Sequence, residues 1–213
     1  MKIYPIVEGH AEIEAVPELL RRLLFEMRCY DFHVARPIRR TQAKLHDKKG
    51  VQDAVQLVKL HKDCAAMIIL FDGEDVCPVK RATQTLVYAR GVAENTPCEV
   101  VVAYREYETW FLSALESLRG FHGIRDDAVA PENPESRRDS KGWLKEFMLS
   151  DHGYSPTNNQ TGMTARFNLS LAHRRNRSFR KFVKSVGDIV SQLGHILPNP
   201  WPPESWQPNF TVK

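Results

Sequence analysis

Residues 65–71, Ala-Ala-Met-Ile-Ile-Leu-Phe, are seven apolar residues in a row. A strand with one face in water alternates polar and apolar positions. A run with no polar position needs cover on both faces, which puts it inside a parallel sheet with helices above and below. It is far short of the ~20 apolar residues a membrane span requires. Two further runs share its character, residues 3–7 and 99–104 (Glu-Val-Val-Val-Ala-Tyr), and residues 32–38 form a weaker one. Helical patterns fill the gaps between them. Residues 11–27 carry Ile13, Val16, Leu19, Leu20, Leu23 and Leu24 on one broad face, with Pro17 expected to break or kink the first turn or to mark where the regular helix begins. Residues 51–59 and 79–93 are also helical in pattern, and another helix starts at Trp110-Phe111-Leu112. Strands alternating with helices predict an α/β chain, Rossmann-like, with a mainly parallel sheet of about four core strands flanked by helices.

The remainder has a different texture. Residues 125–140 are rich in Pro, Glu and Ser and read as a loop. Shorter helical pieces follow at 142–149, 163–173 and 178–193. Residues 196–213 hold five prolines and two tryptophans, which predicts an extended tail that packs or docks. The expected organisation is a core over 1–124, a basic and mostly helical extension over 125–195 packed on it, and the tail. Hydrophobic residues at 42% and charged residues at 26% exclude a largely disordered chain. Cys29, Cys64, Cys77 and Cys98 form no C-x-x-C pair, and His61-x-x-Cys64 has no matching second pair, so reduced thiols are expected rather than disulfides or zinc. The opening residues MKIYPIVEGH lack a signal-peptide core. Together these point to the cytoplasm and away from membranes.

Each of the three most apolar strands ends in acid. The first gives Glu8-Gly9 with Glu12 four positions beyond Glu8, the second Asp72-Gly73-Glu74-Asp75, the third Glu106 and Glu108 before Trp110. Parallel strands end at one edge of the sheet, where α/β proteins bind ligands. Carboxylates gathered there repel one another unless they are protonated or share a cation, and their hard oxygens suit Mg²⁺ or Mn²⁺.

With these motifs the chain resembles the Toprim superfamily, the metal-binding fold of topoisomerases, primases and OLD-type nucleases, whose hallmark is an E-G dipeptide after the first strand and D-x-D after a later one. The segments V-E-G-H-A-E-I-E-A-V-P-x-L-L-R-R-L, L-F-D-G-E-D, Y-R-E-Y-E-T-W-F-L and S-F-R-K-F are similar to small bacterial Toprim-like proteins of domain-of-unknown-function family 4276, to about Val186. The resemblance implies a metal-dependent nuclease module, of a kind that works with an ABC/SMC-type ATPase in anti-phage defence. It implies metal ligands at Glu8, Glu12, Asp72, Glu74, Glu106 and Glu108. Glu74 stands where Asp is usual, which leaves Glu74 or Asp75 to complete the set. A late lysine that supports the reacting phosphate maps to Lys141, with Lys145 behind it.

Phosphodiester hydrolysis needs an activated water and neutralised phosphate oxygens, which one or two divalent ions and a lysine supply. Glu8, Asp72 and Lys141 are therefore the expected catalytic residues, with Glu8 as ligand or as general acid or base. The +4 net charge hides an uneven distribution. Residues 152–187 contain no Asp or Glu, and their Arg and Lys residues leave the rest of the chain net acidic. Arg174, Arg175, Arg177, Arg180, Lys181 and Lys184 are candidates to track a phosphate backbone of DNA or RNA. Arg36, Arg39, Arg40, Lys44, Lys48 and Lys49 form a second cluster, and Tyr154, Asn158, Asn159 and Gln160 a polar loop. No P-loop sequence is present, so any ATPase activity belongs to another chain. The alternatives are a non-catalytic regulatory or scaffolding subunit of such an ATPase complex, and a small-molecule phosphoesterase using the same acids. Homo-oligomers remain open.

Overall fold

In the computed structural model, which describes residues 1–208, the apolar run becomes the interior strand of a five-stranded parallel sheet. The strands are β1 (Lys2–Val7), β2 (His33–Val34), β3 (Ile38–Arg39), β4 (Cys64–Asp72) and β5 (Cys98–Ala103). β4 lies between β1, with Ile6 opposite Ile69, and β5, with Leu70 opposite Val101. The other edge of β1 carries β2 at Lys2 and Ile3, then β3 at Ile6 and Val7. The single weak strand expected over 32–38 is thus two short ones. Buried Pro37, which has no N–H to donate, falls between them.

Alternation along each strand sorts the side chains into two cores. Ile3, Val7, Ala66, Ile68, Leu70, Val101 and Ala103 point to one face, and Tyr4, Ile6, Met67, Ile69, Phe71, Val100 and Val102 to the other. The second face is covered by α2 (Gln42–His46), α3 (Lys48–Lys59) and α4 (Pro78–Ala93). The first is covered by α1 (Glu12–Glu26), α5 (Thr109–Ser113), α6 (Ser140–Lys145), α7 (Thr161–Arg166), α8 (Leu169–Arg175) and α9 (Arg177–Gln192).

Pro17 lies inside α1 and does not open it; the helix begins at Glu12 and runs through the proline, held by the buried row Val16, Leu19, Leu20 and Leu23. The piece expected over 163–173 is two helices, α7 and α8, with extended Asn168 capping the second through its side chain on the Leu171 amide. α9 packs along β5, its Phe182, Val183 and Val186 joining Val101 and Ala103 in the core of that face. The segment beyond it comes back over α8, where Trp206 is buried and its carbonyl accepts from His173 Nδ1 at 2.6 Å. The remainder of the expected tail, residues 209–213, lies outside the described residues. Cys29, Cys64, Cys77 and Cys98 are free thiols. Among the described residues no helix is long and apolar enough to cross a membrane.

Candidate functional site

β1 runs directly into Glu8 and Gly9, and the chain turns at once into α1. Glu12, at the start of that helix, is 4% exposed and folds back so that its carboxylate accepts the amide N–H groups of both Glu8 and Gly9 at 3.1 Å. β4 ends at Asp72. Its amide donates to the Glu8 carboxylate at 3.3 Å, and its own Oδ1 accepts the Tyr107 amide at 2.9 Å. The next residue must be glycine because the backbone passes flush against β5: a Cβ on Gly73 would stand 2.7 Å from Val102 Cγ1 and 3.0 Å from the Ala103 carbonyl oxygen. Beyond β5, Arg105 takes a left-handed conformation and the chain reverses, which brings Glu106 and Glu108 back toward the ends of β1 and β4.

Glu108 is fully buried. Its Oε1 accepts from the Tyr154 hydroxyl at 2.7 Å and from Gln160 Nε2 at 3.5 Å. Its Oε2 has no hydrogen bond and faces Lys141 Nζ at 3.2 Å. Lys141, in the first turn of α6, also meets Glu106 at 2.7 Å and Asp72 at 3.9 Å, while its amide donates to the other Glu106 oxygen at 3.2 Å. Six of the residues expected from sequence, Glu8, Glu12, Asp72, Glu106, Glu108 and Lys141, therefore occupy one edge of the sheet.

Burial dominates the electrostatics. It raises Glu8, Glu12, Asp72 and Glu108 above the usual carboxylate range, Glu12 to about 7. Repulsion among them adds to the rise at Glu12 and Asp72, and the Lys141 charge opposes it at Asp72 and Glu108. Burial would depress the Lys141 ammonium, but Glu108, Asp72 and Glu106 outweigh it and hold the proton more firmly than on a free lysine. The cluster is short of positive charge. Among the described residues Glu8 Oε1, Glu12 Oε1 and Glu108 Oε2 accept no hydrogen bond, and Asp72 Oδ2 meets only the distant lysine. Hard, buried, under-committed oxygens fit a Mg²⁺ or Mn²⁺ ion in kind. Among the described residues, however, no three His, Cys, Asp or Glu side chains stand in a ready chelating arrangement. Lys141 is the cation in contact with the acids.

The other expected residues divide differently. Glu74 adopts a left-handed backbone (φ 44°) and is exposed, and its charge is felt at Glu8. Asp75 is drawn away by ion pairs with Arg105 at 2.6 Å and Arg138 at 2.9 Å. It lines a separate cavity of about 710 Å³ between the starts of α4 and α9, which also takes in Cys77, Tyr104, Arg177 and Lys181. Lys145 is exposed and has no contact with the acids.

The basic residues proposed for a phosphate backbone are largely engaged inside the molecule. Arg175 pairs with Glu116, Arg177 with Glu135, Lys181 with Glu99 and Lys184 with Asp188. Arg180 donates to the carbonyls of His173 and Arg174. Two residues that touch Glu108, Tyr154 and Gln160, carry no motif and were legible only as part of a polar loop. Tyr107 and Arg39 were not legible as neighbours of the acids at all. Tyr107 supplies the amide on Asp72, and Arg39 donates to the Glu8 carbonyl at 3.0 Å.

No curated protein and no solved structure matches the chain. Residues 7–187, from the end of β1 to well inside α9, match a domain of unknown function, DUF4276, and the chain belongs to that family.

Proposed function

We propose that the chain is a Mg²⁺- or Mn²⁺-dependent phosphodiesterase of the Toprim and OLD-nuclease kind, acting on DNA or RNA. The observation that carries this reading is the meeting of Glu8, Glu12, Asp72 and Glu108 with Lys141 at the carboxyl ends of parallel strands. Such a concentration of buried and half-buried acid is costly to the fold, and among the described residues its one ion-pair partner is Lys141. Glu8 and Asp72 with their neighbours would hold a divalent ion, which would supply charge neutralisation for a phosphodiester and lower the pKa of an attacking water. Glu12 fixes the turn that presents Glu8 by holding the two amides before it. Asp72 is oriented by the Tyr107 amide. Lys141, held between Glu106 and Glu108, brings a fixed positive charge to the place where negative charge develops on phosphate oxygens.

The experiment is cleavage of DNA and RNA by purified protein in Mg²⁺ and Mn²⁺. Glu8→Gln and Asp72→Asn are expected to abolish cleavage and to leave the circular dichroism spectrum unchanged. Absence of cleavage in every divalent metal, with and without chains encoded beside it, overturns the reading.

A second reading, a non-catalytic subunit of an ABC/SMC-type ATPase complex, is favoured by one observation: Lys141 already bridges Glu106 and Glu108, and among the described residues no chelating set is formed. Cellular function that survives Glu8→Gln together with Asp72→Asn selects it.

A further inference from the structure

Among the described residues the segment from residue 36 to residue 49 carries a run of unpaired positive charge that the proposed function has not used. β3 pairs with the last turn of β1, so Arg39 stands opposite Val7, next to Glu8. The Arg39 side chain donates to the Glu8 carbonyl and the Arg40 amide to the Val7 carbonyl. α2 then crosses to the end of β4, where the His46 ring packs on Phe71 at 5.7 Å, the residue before Asp72. Burial lowers the His46 pKa, and the charges of Arg81, in the first turn of α4, and of Glu74 also reach it.

This segment is held firmly. Gly50 lies so close to α2 that a Cβ there would stand 2.3 Å from the Lys44 carbonyl oxygen. The one acid in the segment, Asp47, is committed to the Gly50 amide at 2.8 Å as the cap of α3. Among the described residues Arg36, Arg40, Lys44, Lys48 and Lys49 form no ion pair, whereas four of the six cations singled out between Arg174 and Lys184 do. An arginine or lysine already paired with acid releases little counterion on meeting phosphate; an unpaired one contributes in full.

We infer that the β3–α2 segment, through Arg36, Arg40 and Lys44, is the surface that holds a nucleic-acid phosphate backbone beside the acid cluster, and that the α8–α9 cations are structural. The inference rests on the proposed action on nucleic acid and says from which side the polymer approaches: across the β1 edge of the sheet, not across β5. Arg39 anchors this surface to the Glu8 turn and is a positioning residue.

The test is binding without cleavage. A fluorescein-labelled DNA duplex, its single strand and an RNA of the same sequence are titrated in EDTA over a range of salt. Two variants remove the same charge, Arg36→Gln/Arg40→Gln/Lys44→Gln and, among the ion-paired cations, Arg175→Gln/Arg177→Gln/Lys184→Gln. The first is expected to lose affinity about tenfold or more and to flatten the dependence of log K on log salt by about 2–3, near the ~0.9 per phosphate contact of duplex DNA. The second is expected to bind like the parent protein. Equal losses in both variants, a loss confined to the second, or a parent protein that binds none of the three probes overturns the inference. Binding that localises to the first variant in a protein that never cleaves counts against the nuclease reading and supports the surface. Cleavage that persists with binding insensitive to the first variant does the reverse.

Discussion

Glu12 sits almost without water, beside Glu8 and Glu108, and its proton affinity reflects that. Burial first, then the neighbouring carboxylates, lift it from the ordinary range to about 7, against the pull of the Gly9 amide. In the unfolded chain the same group releases its proton near 4.5. The folded protein therefore binds a proton that the unfolded chain has lost, and the associated stability is full below the unfolded value and disappears as pH rises through about 7. In chelator, the melting temperature is expected to fall between pH 5 and pH 8. Glu12→Gln keeps an acceptor for the Glu8 and Gly9 amides and removes the charge. It is expected to raise stability at pH 8 by on the order of 2–3 kcal/mol and to leave it unchanged at pH 5. Thermal melts of the two proteins across that range check it. A substitution that stabilises the fold and damages activity marks an acid retained for function. If Glu12→Gln is neutral or destabilising at pH 8, Glu12 is a structural cap and the acids are already neutralised by Lys141.

Two joints decide whether the elements meet as they do. Asn176, fully buried between α8 and α9, accepts the Phe179 amide at 2.9 Å and donates to Thr109 Oγ1 and Ser113 Oγ of α5. Asn176→Ala removes a helix cap, the two side-chain hydrogen bonds to α5 and the acceptor of the buried Ser178 hydroxyl, and is expected to cost about 2–3 kcal/mol in denaturant unfolding. Gly50→Ala drives a methyl onto the Lys44 carbonyl, a backbone atom with little freedom to yield, and is expected to cost about 1–3 kcal/mol and to displace α2. Weakened nucleic-acid binding with the charge unchanged is the functional readout of that shift. The same scale shows what a reader of the sequence can and cannot see. β4 and α9 were legible because their burial is written in local periodicity. The acids of β1, β4 and β5 were legible as one site because parallel strands share an edge. The break between α7 and α8 was not, since what satisfies the last carbonyls of α7 is Arg22 of α1, which donates to Thr164 and Phe167 from far away in sequence. Tyr154 and Gln160 escaped for the same reason: they reach Glu108 only after the loop following residue 125 has been packed. The Arg174–Lys184 charges were visible, but their partners Glu99, Glu116 and Glu135 lie on other elements, so their neutralisation was not.

At the scale of the molecule, the acid cluster and one face of the sheet are completed by the same late part of the chain. One continuous core runs from Ile3 and Val7 through Trp110 and Phe111 to Phe182, Ile189 and Trp206. Met163, Phe167, Phe179, Phe182, Val183, Val186, Ile189 and Val190 are fully buried in it and all come from beyond residue 124. At about 1.5–3 kcal/mol for each buried apolar side chain, these eight alone contribute roughly 12–24 kcal/mol, as large as the ~5–15 kcal/mol by which a domain is stable. Even after allowing for residual burial in the unfolded chain, that margin does not survive their loss. Removing them would also take Lys141, Tyr154 and Gln160 from Glu108 and leave buried carboxylates without their nearest cation or donors. A fragment of residues 1–124 is therefore expected not to fold, although it contains all five strands of the described residues: it should bind ANS, lack near-ultraviolet dichroism and show no cooperative melt. The full chain is expected to unfold in one transition, with calorimetric and van't Hoff enthalpies equal. A cooperative melt from the fragment, or two resolved transitions in the full chain, would make the extension a separate unit and would mean that the acids tolerate burial without Lys141.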